Sequence, residues 1–261
     1  MQSLKGKVAL VTGGTSGIGK ATVLALAKSG VHVVLTGRRQ HEGESTAEEA
    51  RKAGALHGVK ALFVQGDVTD EAHVEKAIAT AVGINGSLNF AFNNAGVELG
   101  GATIAESTPD QYKRVFDINV LGVLLSMKHE IRAMAKNNGG KGGGSIVNTS
   151  SIAGQIAMPG AGIYVGSKHA VDGLTRTAAL EVAKQGIRVN AVSPGGVDTA
   201  MLDRFTGNRN PDAMAWMNSV HPVGRVGTPE EIANPVLFLF SEGANFITGT
   251  TLAIDGGFLA Q

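Results

Sequence analysis

Tyr164 and Lys168 stand four residues apart in the stretch Tyr164-Val165-Gly166-Ser167-Lys168. In a helix that spacing puts both side chains on one face. A phenol titrates near ~10 in water, too high for easy proton exchange at neutral pH. A neighbouring ammonium stabilises the phenolate and lowers that value, so the pair reads as a proton donor and its tuner. Taken alone, a Tyr-x-x-x-Lys pair reads first as ordinary helix packing. Ser151 lies just past the strand-like run at 145–149, and in an open parallel sheet ligands bind beyond the carboxyl ends of the strands.

A second group of residues suits phosphate. Thr12-Gly13-Gly14-Thr15-Ser16-Gly17-Ile18-Gly19 joins an apolar run to a helical pattern. The spacing is G-x-x-x-G-x-G rather than G-x-G-x-x-G. Its glycines let backbone N–H groups approach a pyrophosphate at the positive end of a helix. The next apolar run ends Thr36-Gly37-Arg38-Arg39. A carboxylate there would hold the ribose hydroxyls of NAD(H). None is present, and a guanidinium binds phosphate through paired N–H donors. The reading is NADP(H) rather than NAD(H), with Arg38 as the main contact, Arg39 beside it and a hydroxyl from Thr15. A solvated arginine pair is the alternative.

Elements that could position these groups follow from periodicity. Strand-like runs occupy 7–12, 31–36, 61–65, 88–92, 145–149, 188–192 and 251–254, and helical patterns cover 18–28, 110–136, 163–184 and 229–240. Regular alternation implies one α/β domain over residues 1–261, a doubly wound parallel sheet with helices on both faces. Ligands of such sheets bind beyond the carboxyl ends of the strands. The glycine loop, Asn93-Asn94-Ala95-Gly96, Ser151 and Pro194-Gly195 all follow strands and converge on that edge. Two segments break the rhythm. The run NNGGKGGG at 137–144 reads as a flexible surface loop. Residues 199–223 carry Met201, Leu202, Phe205, Met214, Trp216 and Met217 and read as a substrate lid or a plain packing element. As a lid they favour an apolar or aromatic substrate.

Composition excludes several classes of function. The 261 residues are 43% hydrophobic and 17% charged, as in a folded globule rather than a disordered chain. Cysteine is absent, which removes disulfides, thiolate metal sites and cysteine nucleophiles. The seven histidines show no metal-ligand spacing, so no metal is expected. A net charge of +1 without a long basic block argues against nucleic acid as a partner. No apolar run approaches the ~20 residues of a membrane span, and the N-terminus does not read as a signal peptide. A cytoplasmic protein is expected.

Together these motifs resemble a classical short-chain dehydrogenase/reductase over nearly the whole chain. Thr12-Gly13-x-x-x-Gly17-x-Gly19 resembles the family's cofactor loop, and Gly66-Asp67-Val68 its adenine contact. Asn93-Asn94-Ala95-Gly96 resembles the signature after the fourth strand. Pro194-Gly195, with Val197 and Thr199, resembles the nicotinamide carboxamide segment, and Asp255-Gly256-Gly257 the C-terminal motif. Asn119, Ser151, Tyr164 and Lys168 match the four-residue active site. The resemblance implies a seven-stranded sheet, a homotetramer and an NADP(H)-dependent carbonyl reductase or alcohol dehydrogenase. In that reading Tyr164 exchanges the proton, Ser151 holds the carbonyl oxygen, and Lys168 lowers the phenol pKa and holds the nicotinamide ribose. Asn119 holds a water that links Lys168 to solvent; as a bare sequence feature it is equally a satisfied buried amide. Ser16 stands where some NADP-binding members carry a basic residue. Val97, Glu98, Gln155, Met158 and Gly195 are expected to shape the substrate pocket. A 3-oxoacyl-carrier-protein reductase is an alternative within the class, and a non-catalytic NADP-binding sensor an alternative outside it.

Overall fold

Side chains along β1 (Val8–Thr12) alternate between two buried clusters, with Ala9 and Val11 in one and Val8 and Leu10 in the other. That alternation is what a strand buried on both faces requires. In the computed structural model, which describes residues 4–261, six further strands join it. They are β2 (His32–Gly37), β3 (Ala61–Gln65), β4 (Phe90–Asn93), β5 (Gly144–Thr149), β6 (Ile187–Pro194) and β7 (Thr251–Ile254). The sheet order is β3-β2-β1-β4-β5-β6-β7, and every pair is parallel. All seven expected runs become strands. Residues 1–3 of the expected domain lie outside the described residues.

Helices cover both faces. Buried residues of α1 (Gly17–Lys28), α2 (Gln40–Ala53) and α10 (Pro229–Phe240) pack into one cluster. Those of α3 (Glu71–Asn85), α5 (Gly122–Met134) and α7 (Gly162–Val182) pack into the other. The strand order reverses at β1 and β4. Loops leaving these two strands diverge to opposite faces, which opens a crevice at their carboxyl ends.

One expectation is refined and one corrected. The pattern at 110–136 is helical as expected, but α4 (Pro109–Phe116) runs into α5 through a wider turn at Asp117–Leu121 with π-helical geometry. Asn119 sits in that turn. Its Oδ1 accepts from the Val97 N–H at 2.8 Å and its Nδ2 donates to the Val97 carbonyl at 2.9 Å. A π-turn inside a helix commonly marks a functional position. The segment at 137–144 is not a free loop. It begins with the short turn α6 (Asn137–Gly140), and the buried Asn137 amide donates to the carbonyls of Leu88 and Gly143 at 2.6 and 2.7 Å. These bonds tie it to the start of β4.

Candidate active site

The glycine loop is held from its neighbour strand. Thr12 Oγ1 accepts from the N–H groups of Asn94 and Ala95 at 3.0 and 3.2 Å. The Asn94 amide donates back to the carbonyls of Thr12 and Gly13 at 3.3 and 3.2 Å. Gly13 itself adopts φ +65°, a conformation that favours glycine. A Cβ on Gly19 would stand 2.2 Å from the Gly13 carbonyl oxygen, so Gly19 lets α1 pack against the loop. The first turn of α1 carries no acidic residue and no side-chain cap. Its N–H groups are free for an anion.

This loop lines a cleft of about 620 Å³ along the carboxyl edge of the sheet. Every residue expected to meet the cofactor lines it, except Gly19, which lies behind the loop. Arg39 donates to the hydroxyls of Thr15 and Ser16 at 3.3 and 3.0 Å. Arg38 Nη1 stands 3.8 Å from Asp67 Oδ2. The other Asp67 oxygen accepts from the N–H and hydroxyl of Thr69, both at 3.0 Å, while Asp70 caps α3. Asp67 therefore closes a turn and faces the cleft at once. The residues present fit a dinucleotide: an uncapped helix start, glycines without room for a Cβ, and two guanidinium groups at the rim.

Ser151, Tyr164 and Lys168 line the same cleft, on the loop after β5 and on the first turns of α7. Ser151 Oγ accepts from the Ala153 N–H at 3.2 Å, which leaves its O–H free to donate. Lys168 Nζ donates to the Thr149 carbonyl at 2.8 Å and lies 5.6 Å from the Tyr164 ring centre. The expected fall in the Tyr164 pKa is not found. Burial pushes the phenol up to about 12, against a pull downward from the Ser151 hydroxyl and with a further push from Glu98. The physical reason is that desolvation of a phenolate outweighs a cation held at ring distance. Burial also brings the Lys168 ammonium down to about 8, opposed by Asp172. Asn119 does not line the cleft. Its amide is engaged with Val97, and Nδ2 also donates to Ser167 Oγ at 3.1 Å.

The same cleft also has an apolar lining. Helices α8 (Ala200–Phe205) and α9 (Pro211–Ser219), from the expected lid, contribute Met201, Leu202, Phe205, Trp216 and Met217; Met214 does not reach it. Val97, Glu98, Met158 and Gly195 line it as expected. Gln155 does not; its amide donates to Ser193 Oγ at 2.9 Å instead. Arg204 of α8 meets Glu98 through two bonds of 2.5 and 3.1 Å, bridging the lid segment to the loop after β4. Ile118, Ile152, Val220, His221 and Phe258 also line the cleft and carry no sequence signal. Distant from it, Glu71, Glu75 and His129 bring ligand-type atoms within 4.8 Å of one another, a grouping that the scattered histidines did not foretell. The Lys128 ammonium already occupies Glu71 at 2.6 Å.

A parallel sheet of this order, with a phosphate-type loop and a Ser–Tyr–Lys group on one cleft, defines a nicotinamide-dependent oxidoreductase. The chain belongs to the short-chain dehydrogenase/reductase family. Residues 13–259 match the family model described as enoyl-(acyl carrier protein) reductase. The chain is 44% identical over 260 residues to 2,5-dichloro-2,5-cyclohexadiene-1,4-diol dehydrogenase of Sphingobium indicum, covering 100% of both. It is 39% identical over 255 residues to cyclohexanol dehydrogenase of an Acinetobacter species, covering 98% of this chain and 96% of that one. The crystal structure of levodione reductase superposes with a TM-score of 0.92 at 32% identity, covering 98% of each chain. Among the described residues no helix is long and apolar enough to cross a membrane.

Proposed function

We propose that this protein interconverts a small alicyclic secondary alcohol and its ketone, with NADP(H) as the preferred cofactor. The observation that carries the reading is one cleft with three kinds of lining. It is lined by a phosphate-type loop, by Ser151, Tyr164 and Lys168, and by the thioether and aromatic groups of α8 and α9. Relatives named for cyclohexanol, a cyclohexadiene diol and cis-4-hydroxycyclohexanecarboxylate supply the ring-shaped substrate class. When bound, the cofactor supplies or takes the hydride.

The chain's own residues do the rest. Ser151 donates a hydrogen bond to the substrate oxygen as negative charge grows there. In reduction the Tyr164 O–H passes its proton to that oxygen; in oxidation the phenolate takes the proton from the alcohol. A phenol pushed up to about 12 stays protonated through neutral pH, which suits the reductive direction. Lys168 lends positive charge beside the ring and would hold the nicotinamide ribose. Asn119 keeps the loop at Val97 in place. Residues 199–223 close over the substrate as a lid. Arg38, with Arg39, Thr15 and Ser16, would receive the 2′-phosphate; Arg39 reaches Ser16 and so brings a cation to the loop position where a basic residue is missing.

A panel of cyclic and open-chain ketones and alcohols, scored with NADPH and NADH side by side, tests the substrate class and cofactor together. Cyclohexanone-type substrates should be favoured. Tyr164→Phe should cut turnover by about a hundredfold to ten-thousandfold with cofactor binding retained. Full activity in that variant would remove Tyr164 from the mechanism. A homotetramer is part of the same reading: Tyr112, Leu121, Leu124 and Leu180 are exposed on α4, the following turn, α5 and α7. Light scattering should give the mass of four chains.

A further inference from the structure

His221 lies just past α9 and is 2% exposed. Its ring makes two hydrogen bonds of opposite sense. Gly196 donates its N–H to Nε2 at 2.9 Å, and Nδ1 meets the Met217 carbonyl at 2.7 Å. A backbone N–H only donates and a carbonyl only accepts. The ring is therefore the neutral tautomer with its proton on Nδ1. One bond grips the loop after β6, next to Pro194-Gly195. The other grips the last turn of the lid helix. No slack is left between them: a Cβ on Gly195 would stand 2.6 Å from Nε2 and 3.1 Å from the Asp255 Cα, and the Phe258 ring packs on the imidazole at 5.6 Å. The Asp255 carboxylate faces elsewhere, accepting the N–H groups of Gly257 and Leu259 at 2.9 and 2.8 Å.

We propose that His221 is a positioning residue that couples the nicotinamide-end loop at Pro194-Gly195-Gly196 to the lid helix α9, so that filling the cofactor site organises the substrate pocket. The inference rests on the dinucleotide occupying the cleft as proposed above. Its logic is mechanical. A shift of Gly196 moves its N–H, the ring follows, and Met217 and Trp216 move with the ring. Both side chains line the cleft. Coupling of this kind makes the pocket competent only when cofactor is present.

Trp216 is the single tryptophan of the chain and sits on the lid helix, so its fluorescence reports that element alone. The experiment measures acrylamide quenching of Trp216 with and without oxidised cofactor, beside calorimetric cofactor binding and steady-state kinetics. In the wild type, cofactor alone should lower the quenching constant about twofold. His221→Gln places an acceptor oxygen where Nε2 was and keeps the bond from Gly196; it gives up the Met217 bond, but its backbone continues directly from α9, so the shift still reaches the helix and most of that protection should remain. His221→Asn keeps a donor to Met217 but loses the acceptor. It should lose the protection and raise KM for the alcohol about tenfold with cofactor affinity unchanged. A merely structural role would move both variants alike, lowering the melting temperature and every kinetic parameter together. Equal behaviour of the Gln and Asn variants, or full protection in the Asn variant, overturns the proposal. Absence of dinucleotide binding in the wild type would remove the proposed function as well, whereas binding with unaltered protection in the Asn variant removes this inference alone.

Discussion

Tyr164 and Arg38 show two opposite ways in which a single residue's chemistry depends on its surroundings. The phenol is held against burial, so its proton is kept through neutral pH and its neighbours matter by placement more than by lowering its pKa. Arg38 is two-thirds exposed, with its side chain at 68%. Its contribution in the protein alone is that of a screened surface charge. It becomes important against a phosphate, where charge-assisted bonds contribute about 1.5–3 kcal/mol. Arg38→Asp should therefore weaken NADPH binding about tenfold or more while leaving NADH nearly unaffected. Titration calorimetry with both cofactors measures this, and an unchanged ratio would deny Arg38 the phosphate.

At the scale of elements, the cofactor end of the cleft is set by how closely α1 approaches β1 and β4. The tightest point is Gly19 against the Gly13 carbonyl, where any Cβ would overlap at 2.2 Å. Gly19→Ala must push α1 outward or deform the loop. Overpacking of this kind costs about 1–3 kcal/mol. The expected result is a lower melting temperature together with at least tenfold weaker dinucleotide binding. By contrast, Gly83 on α3 has nothing within 4 Å of a Cβ, so Gly83→Ala should leave binding untouched and serves as the control. The substrate end is organised differently. There α8 and α9 are joined to the body through the Glu98–Arg204 pair and His221, polar links that can break and reform.

The stability of the whole molecule carries a pH signature from a residue that the chemistry does not use. Glu130 of α5 is fully buried beneath the sheet. It accepts from Asn93 Nδ2 at 2.9 Å, and its second oxygen has no partner. Burial pushes its carboxyl from the usual 4.5 up to about 8, with only the Asn93 bond pulling down. Between those two values the folded chain keeps a proton that the unfolded chain has released. By linkage the fold loses stability as pH rises across that window and levels off above it. Glu130→Gln is neutral at every pH and still accepts from Asn93. It should remove this slope and gain on the order of a few kcal/mol at pH 9 relative to pH 5. Urea unfolding at the two pH values measures the difference, and parallel losses in both proteins would contradict it.

What sequence determined here is whatever depends on spacing along the chain. The alternation of Val8, Ala9, Leu10 and Val11 dictates a doubly buried strand. The four-residue step from Tyr164 to Lys168 places both side chains on one face of α7 because helix turns repeat with a fixed period, and Ser151 reaches the same edge by following a strand. What only the tertiary structure decided depends on neighbours distant in sequence. The direction of the Tyr164 pKa follows from desolvation, which no local pattern encodes. Gln155 turned to Ser193, Asn137 anchored a glycine-rich run, and Asn119 bonded to the Val97 backbone, each because a buried polar group must find a partner wherever the fold supplies one. His221 belongs with them: an isolated histidine in the chain, it acquires meaning only when α9 is folded back over the loop after β6.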